Sequence, residues 1–251
     1  MTTTLITGAS SGIGAELARQ LAAAGHDLAL CARRTERLDE LAGEITAAHP
    51  ERRVAVKALD VTDDDAVFRV FHEFDVELGG VERVVVNAGL GKGAPIGAGG
   101  YAANRATAMT NFIGALAQCE AAMEIFRARK HGHLVVVSSM SAMRGMPRTM
   151  TSYAASKAGV AALAEGIRSE MLGKPDLDIT VTTIFPGYIR SEMNEKVEQQ
   201  TRFMVDTETG VRGIVEAIEK GVDTARVPAW PWKPLGTAMR HLPLGVVRRL
   251  G

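Results

Sequence analysis

Thr7-Gly-Ala-Ser-Ser-Gly-Ile-Gly14 decides the fold of this chain. Residues 3–6 before it are short, apolar and extended in character. Residues 15–24 after it read as a helix, with Leu17 and Leu21 four apart and Gly25 as a stop. A strand, a glycine-rich turn and a helix therefore open the protein. Gly8, Gly12 and Gly14 let the backbone turn tightly and approach a ligand. The first N–H groups of the helix are left to bind an anion such as a pyrophosphate. Ser10, Ser11 and Ile13 are the other candidate contacts of the loop. In isolation such a loop is a weak signal, but between a strand and a helix it points to a dinucleotide.

Residues 27–32 form the second expected strand, whose end faces the adenosine ribose in dinucleotide folds. A carboxylate there would accept from the 2′-hydroxyl and favour NAD(H). This chain has Ala32, then Arg33 and Arg34. Two guanidiniums suit a 2′-phosphate, so the residues favour NADP(H) over NAD(H). Alternatively, Arg33, Arg34 and Arg37 simply begin the polar face of a helix over 35–49.

Strand and helix then alternate. Strands are expected at 54–59, 83–87, 133–137, 178–185 and 224–227. Helices are expected at 63–78, 107–129, 152–172 and 210–220. Phe112, Leu116, Cys119, Met123 and Phe126 repeat at helical spacing, which assigns them to core. Asn111, a poor mid-helix residue, satisfies itself locally, holds a water or marks a kink. Ser138, Ser139 and Ser141 follow a strand end, where ligands bind in open α/β sheets. The glycine-rich stretch 90–100 reads as a loop and the polar stretch 191–209 as a lid over substrate. The alternation implies one α/β domain over 1–251, a doubly wound parallel sheet covered on both faces.

Tyr153 and Lys157 lie four apart and share one helix face. A free phenol, with a pKa of about 10, is a poor acid or base near neutrality. A neighbouring ammonium would stabilise the phenolate and lower that value. The pair is a plausible proton-transfer device, yet it is also what any amphipathic helix can carry.

Taken together, these pieces resemble the short-chain dehydrogenases/reductases, in their compact single-domain branch, over nearly the full length. The matching residues are Thr7 to Gly14, Asp60-Val61, Asn87-Ala-Gly89, Asn111, Ser138 and Ser139, Tyr153 with Lys157, and Pro186-Gly187. The resemblance implies a Rossmann-type sheet of about seven strands and a nicotinamide cofactor. It makes Tyr153 the acid or base, with Lys157 lowering its pKa and holding the ribose. Ser139 would hold the substrate oxygen, and Asn111 a water behind Lys157. Asp60 and Val61 would meet the adenine, and Asn87, Ala88 and Gly89 would line the cofactor. Pro186, Gly187 and Ile189 would pass the nicotinamide, with Ser191 near its carboxamide. One departure stands out: Ser139 precedes Tyr153 by 14 positions, one more than the family pattern. Ser141 is therefore the fallback for the catalytic serine.

The bulk properties narrow the setting. Zero formal net charge offers no field for nucleic acid. Cys31 and Cys119 lie in apolar segments and suit buried thiols of a reducing, cytoplasmic compartment. The scattered histidines give no metal-ligand pattern. The N-terminus lacks the pattern of a signal peptide. No apolar run approaches the roughly 18 residues of a membrane span. Residues 228–251 form a basic arm in which Trp230 and Trp232 alternate with prolines, suited to cover the cleft, pack on another subunit or touch an anionic membrane. Ala155, Ala158, Gly159 and Ala162 would permit close helix packing in a homodimer or homotetramer. The expected activity is oxidoreduction between a carbonyl and a secondary alcohol on an apolar small molecule. The alternative is a cofactor-binding sensor or scaffold without turnover.

Overall fold

A computed structural model describes residues 2–192 and 203–250, without the side chains of 248–250. Seven parallel strands form one sheet: β1 (Thr3–Thr7), β2 (Asp27–Ala32), β3 (Val54–Ala58), β4 (Arg83–Val86), β5 (His131–Val137), β6 (Asp178–Pro186) and β7 (Thr224–Val227). Their order is β3-β2-β1-β4-β5-β6-β7. The chain winds outward from β1 to β3, then returns beside β1 with β4. That reversal opens a crevice at the carboxyl ends of β1 and β4, where ligands bind in such sheets.

The strands are apolar on both faces because helices cover both. Leu5 packs with Phe71, Phe74, Phe126, Val84 and Leu134 on one side. Its neighbour Ile6 packs with Leu17, Leu21, Leu30, Leu38 and Ile214 on the other. The helices are α1 (Gly12–Ala23), α2 (Thr35–Ala48), α3 (Asp64–Glu77), α4 (Tyr101–Ala108), α5 (Gly114–Arg129), α6 (Thr151–Leu172), α7 (Thr207–Glu219), α8 (Ala229–His241) and α9 (Leu244–Leu250). Asp63 caps α3 by accepting from the Ala66 N–H at 3.1 Å.

Several boundaries differ from the sequence expectation. Helix α1 begins at Gly12 instead of residue 15, because Gly12 and Gly14 take part in its first turn. The helix expected from 107 begins at Tyr101 and passes through a π-turn, Met109–Ile113, into α5. Residues 207–209 of the expected lid belong to α7, where Asp206 accepts from the Thr209 N–H at 2.7 Å. Residues 193–202 of that lid lie outside the described residues. The proline-rich arm is helical: Pro231 falls in the first turn of α8, where it costs no helical hydrogen bond, and Pro234 follows inside the helix. No helix among the described residues is long and apolar enough to cross a membrane.

At the opposite end of the sheet, His133 Nε2 lies 2.9 Å from Thr182 Oγ1. Burial, and then the charge of Arg83, lowers its pKa to about 4. The unfolded chain keeps the ordinary value of about 6.5, so between these values the unfolded state binds more protons. Stability is therefore lost as pH falls from 6.5 towards 4. This one group should remove about 2 kcal/mol by pH 5. Urea unfolding at pH 7 and pH 5 should show a smaller loss in His133→Gln than in the parent. Equal losses would reject the assignment.

Candidate active site

The site begins with a knot at the crevice. Thr7 Oγ1, at the end of β1, accepts from the backbone N–H groups of Asn87 and Ala88, both at 3.0 Å. Asn87 Nδ2 donates back to the Thr7 carbonyl at 2.9 Å. These bonds hold the turn after β4 against the glycine loop. A Cβ at Gly14 would overlap the Gly8 carbonyl and stand 2.7 Å from Asn87 Nδ2. One at Gly8, where φ is +64°, would stand 2.9 Å from the Ala88 Cα. Only bare backbone lets the start of α1 reach this edge.

The far side of the crevice is built by β5 and α6. Ser138 Oγ donates to the Lys157 carbonyl at 2.7 Å, and Lys157 Nζ donates to the Val137 carbonyl at 2.8 Å. This reciprocal pair pins α6 to the strand end. Ser139 turns the other way and caps the 3-10 turn Met140–Met143. Its Oγ accepts from the Ser141 N–H at 3.2 Å and the Ser141 hydroxyl at 3.0 Å. Of the two serines, Ser139 acts on the Tyr153 phenol; Ser141 is buried behind it, bonded to Ser139.

Burial raises the pKa of Tyr153, hydrogen bonding by Ser139 opposes the rise, and Tyr188 adds to it. The phenol is thus protonated near neutrality. Burial lowers the Lys157 pKa to about 8. The expected lowering of the tyrosine by Lys157 is absent here, because burial dominates and the ammonium points to the Val137 carbonyl. A Cβ at Gly89 would lie 3.6 Å from Lys157 Nζ, so the ammonium also borders the turn after β4.

Asn111 sits in the π-turn with 1% of its surface exposed. Its Oδ1 accepts from the Leu90 N–H at 2.7 Å, and Nδ2 donates to the Leu90 carbonyl at 3.0 Å and to Ser156 Oγ at 3.2 Å. Two residues that the sequence reading missed extend this pattern. Asn104 binds the Ala94 N–H and carbonyl at 2.9 and 3.1 Å. Thr107 Oγ1 donates to the Lys92 carbonyl. Side chains 104, 107 and 111 thus zip the backbone of 94, 92 and 90, and convert the glycine-rich stretch into a wall. The signal was a polar stripe at helical spacing. Gly114 was missed too: a Cβ there would overlap the Val61 carbonyl, so α5 packs directly on the Asp60-Val61 corner.

At the β2 end, Arg34 donates to Ser10 and Ser11 at 3.3 and 2.7 Å. Arg33 is 71% exposed and 4.0 Å from Asp60 Oδ2. Burial pushes the Asp60 carboxyl up, but hydrogen bonds from Thr62 and the charge of Arg33 bring it below its ordinary value. The Asp60, Arg33 and glycine-loop positions therefore surround one end of the crevice. Pro186 ends β6, and the Gly187 N–H donates to the Val227 carbonyl at 2.8 Å. Ile189 pairs with Val205 in an isolated bridge, and Ser191 lies against Gly12. The indole of Trp232, from α8, packs on Gly187 and meets Tyr188 edge to face, ring centres 5.4 Å apart. Met140, Met143, Phe185 and Trp232 form a small apolar cluster with Leu235 and Met239.

A parallel sheet with this crevice, a glycine cradle and a tyrosine beside a serine defines a nucleotide-binding oxidoreductase class. A short-chain dehydrogenase family model matches residues 2–202. An uncharacterized oxidoreductase of Mycobacterium tuberculosis is 51% identical over 245 residues, covering 98% of this chain and 95% of that protein. A crystal structure of a short-chain type dehydrogenase/reductase from Mycobacterium marinum is 27% identical, with TM-score 0.80 over 90% of this chain and 92% of that one. An alcohol dehydrogenase from the archaeon Thermococcus sibiricus, complexed with 5-hydroxy-NADP, is 25% identical, with TM-score 0.78 over 90% and 95%. The chain belongs to the short-chain dehydrogenase family. It is an oxidoreductase of a family that binds nicotinamide cofactors.

The Asn111 arrangement has a measurable consequence. Asn111→Ala leaves both backbone groups of Leu90 unpaired and should cost about 2 kcal/mol in urea unfolding. A loss below about 0.5 kcal/mol would show that the wall is not held through this side chain.

Proposed function

We propose that the protein is an NADP(H)-dependent oxidoreductase that interconverts a carbonyl and a secondary alcohol on an apolar small molecule. The observation that carries this reading is the Tyr153 phenol, protonated and hydrogen-bonded by Ser139, with the buried Lys157 one turn farther on. The glycine cradle fits a nicotinamide dinucleotide: Gly8, Gly12 and Gly14 keep the space above α1 open to a pyrophosphate. Ser10, Ser11 and Ile13 would flank that group, and Arg33 and Arg34 at the β2 end would take a 2′-phosphate. Asp60 and Val61 would border the adenine. Asn87, Ala88 and Gly89 would lie along the ribose, and Pro186, Gly187, Ile189 and Ser191 along the nicotinamide. When bound, the nicotinamide supplies or accepts the hydride.

The chain's own residues handle the proton. Tyr153 gives it to the substrate oxygen in reduction and takes it in oxidation. Ser139 donates to the same oxygen where charge develops. Lys157, held by Val137 and close to Gly89, would reach a ribose hydroxyl. Asn111 positions Leu90 and, through Ser156, the start of α6; Ser156 Oγ donates to the Tyr153 carbonyl at 2.7 Å. The bound Asn111 side chain supports this positioning role more directly than a water-holding one.

The apolar cluster under α8 supports an apolar substrate and an arm that closes the cleft. Buried Cys31 and Cys119, the latter pushed up to about 12 by burial, fit the cytoplasm. The alternative, a cofactor sensor without turnover, would leave the tyrosine–serine geometry without use. Tyr153→Phe separates the two readings. It should keep the melting-temperature rise given by NADPH, exceed the rise given by NADH, and lose at least about a hundredfold in turnover on a ketone panel. Unchanged turnover would reject the mechanism, and a larger rise with NADH would reject the cofactor preference.

Two surfaces support assembly. Ala155, Ala158 and Ala162 are exposed along α6, and fit a homodimer or homotetramer. Trp230, 78% exposed, and the exposed Leu244 and Val246 share the arm with the exposed cations Lys233 and Arg240, a composition that fits peripheral contact with an anionic membrane. Light scattering should give at least twice the monomer mass, and the intact protein should sediment with anionic vesicles but not neutral ones. A monomer, or no sedimentation, would remove the respective reading.

A further inference from the structure

We propose that Glu192 is a specificity residue that weakens the hold of this chain on a 2′-phosphate by occupying the arginines that would receive it. The proposal rests on the cofactor reading above. Arg34 lies immediately beyond β2, where dinucleotide folds meet the adenosine ribose. Its guanidinium spans three partners: Ser10 at 3.3 Å, Ser11 at 2.7 Å and Glu192 Oε2 at 3.1 Å. Arg37, one helical turn later, donates to Glu192 Oε1. Two guanidiniums and two loop hydroxyls thus converge beside the glycine cradle, and the anion between the guanidiniums is the chain's own carboxylate.

The geometry has a direct chemical consequence. A carboxylate offers two oxygens to two guanidiniums, as a phosphate does. A phosphate that reached Arg34 would either displace Glu192 or sit beside its charge. Displacement forfeits two ion pairs, while coexistence costs repulsion. In both cases 2′-phosphorylated nucleotides bind less tightly than the arginines alone would allow. A ligand with a free 2′-hydroxyl meets neither penalty. Arg37, and then Arg34, hold the Glu192 carboxyl below its ordinary pKa, so the charge persists at neutral pH. Unlike Arg34 and Arg37, which pair with Glu192, Arg33 has its ion pair with Asp60. It therefore remains a second cation for a 2′-phosphate, which is why the proposal concerns strength of binding and not its existence.

The pairs are about half exposed, with side-chain exposures of 44% and 44% for Arg34 and Glu192. Exposed pairs are individually weak and screened by salt. The effect should accordingly be moderate and salt-dependent. Calorimetric titration of the full chain with 2′,5′-ADP and 5′-ADP reads it without turnover. Glu192→Gln should bind 2′,5′-ADP about five- to tenfold more tightly than the parent at low salt. It should change 5′-ADP by less than about twofold, and the gain should shrink at high salt. Glu192→Ala, which also removes the hydrogen bonds, should move in the same direction. Unchanged or weaker 2′,5′-ADP binding in both variants would overturn the proposal. Equal losses for both nucleotides would make Glu192 a structural staple of the loop and also overturn it. The cofactor reading is judged separately, by the NADPH-to-NADH ratio of the parent alone. The present inference is judged by the change between parent and variant.

Discussion

The absence of a side chain at Gly14 is the constraint on which this crevice depends. A methyl there would collide with the Gly8 carbonyl and the Asn87 amide, and both are held in place. Backbone cannot yield as the tip of a flexible side chain can. The close approach brings the first turn of α1 to the ends of β1 and β4. Thr7 and Asn87 then lock the two strand ends together by three short hydrogen bonds. The topological reversal beside β1 thereby becomes a shaped cradle with donors facing outward.

The second half of the site is organised by a buried cation. Lys157 is 5% exposed, and its ammonium donates to a backbone carbonyl instead of pairing with a buried carboxylate among the described residues. Burial alone is unfavourable to its charge. The Val137 carbonyl offsets part of that penalty, and Ser138 ties the same turn of α6 to β5. Tyr153 is one turn earlier on a helix that cannot slide, so its hydroxyl stays beside Ser139. Asn111 extends the fixation to the opposite wall. The π-turn that carries it places an amide in the helix interior and lets it serve the loop backbone.

The arm shows how tertiary packing decides what composition leaves open. Its prolines and tryptophans admit a cover over the cleft, a contact with another subunit or one with an anionic membrane. In the fold, α8 packs closely on the Met140–Met143 turn, where a Cβ at Gly236 would stand 2.6 Å from Met140 Cε. Trp232 becomes core on one side of the backbone while Trp230, before the helical turn, is exposed. The local kink at Trp230 separates the two fates. The same residue type thus serves packing and surface within three positions.

Much was legible in the residues themselves. Glycine spacing, alternating periodicities and the Tyr153/Lys157 interval depend on local backbone geometry, which a linear chain records directly. Hence strand count, sheet class and the elements bearing the loop, the serines and the tyrosine followed from local order. The zip of Asn104, Thr107 and Asn111 onto residues 94, 92 and 90 did not, because hydrogen bonds to backbone leave no mark on the accepting residues. The direction of the tyrosine shift was also not readable: it is set by the balance of burial against neighbours, and burial exists only after packing. Nor could the sequence pair Arg34 and Arg37 with Glu192, more than 150 positions away. By itself, the sequence determined the strands of the sheet and most of the helices that connect them, since these follow from spacing and side-chain type. Only the tertiary structure decided which groups touch, because contacts between distant segments arise from the packing of elements whose local order says nothing of their partners.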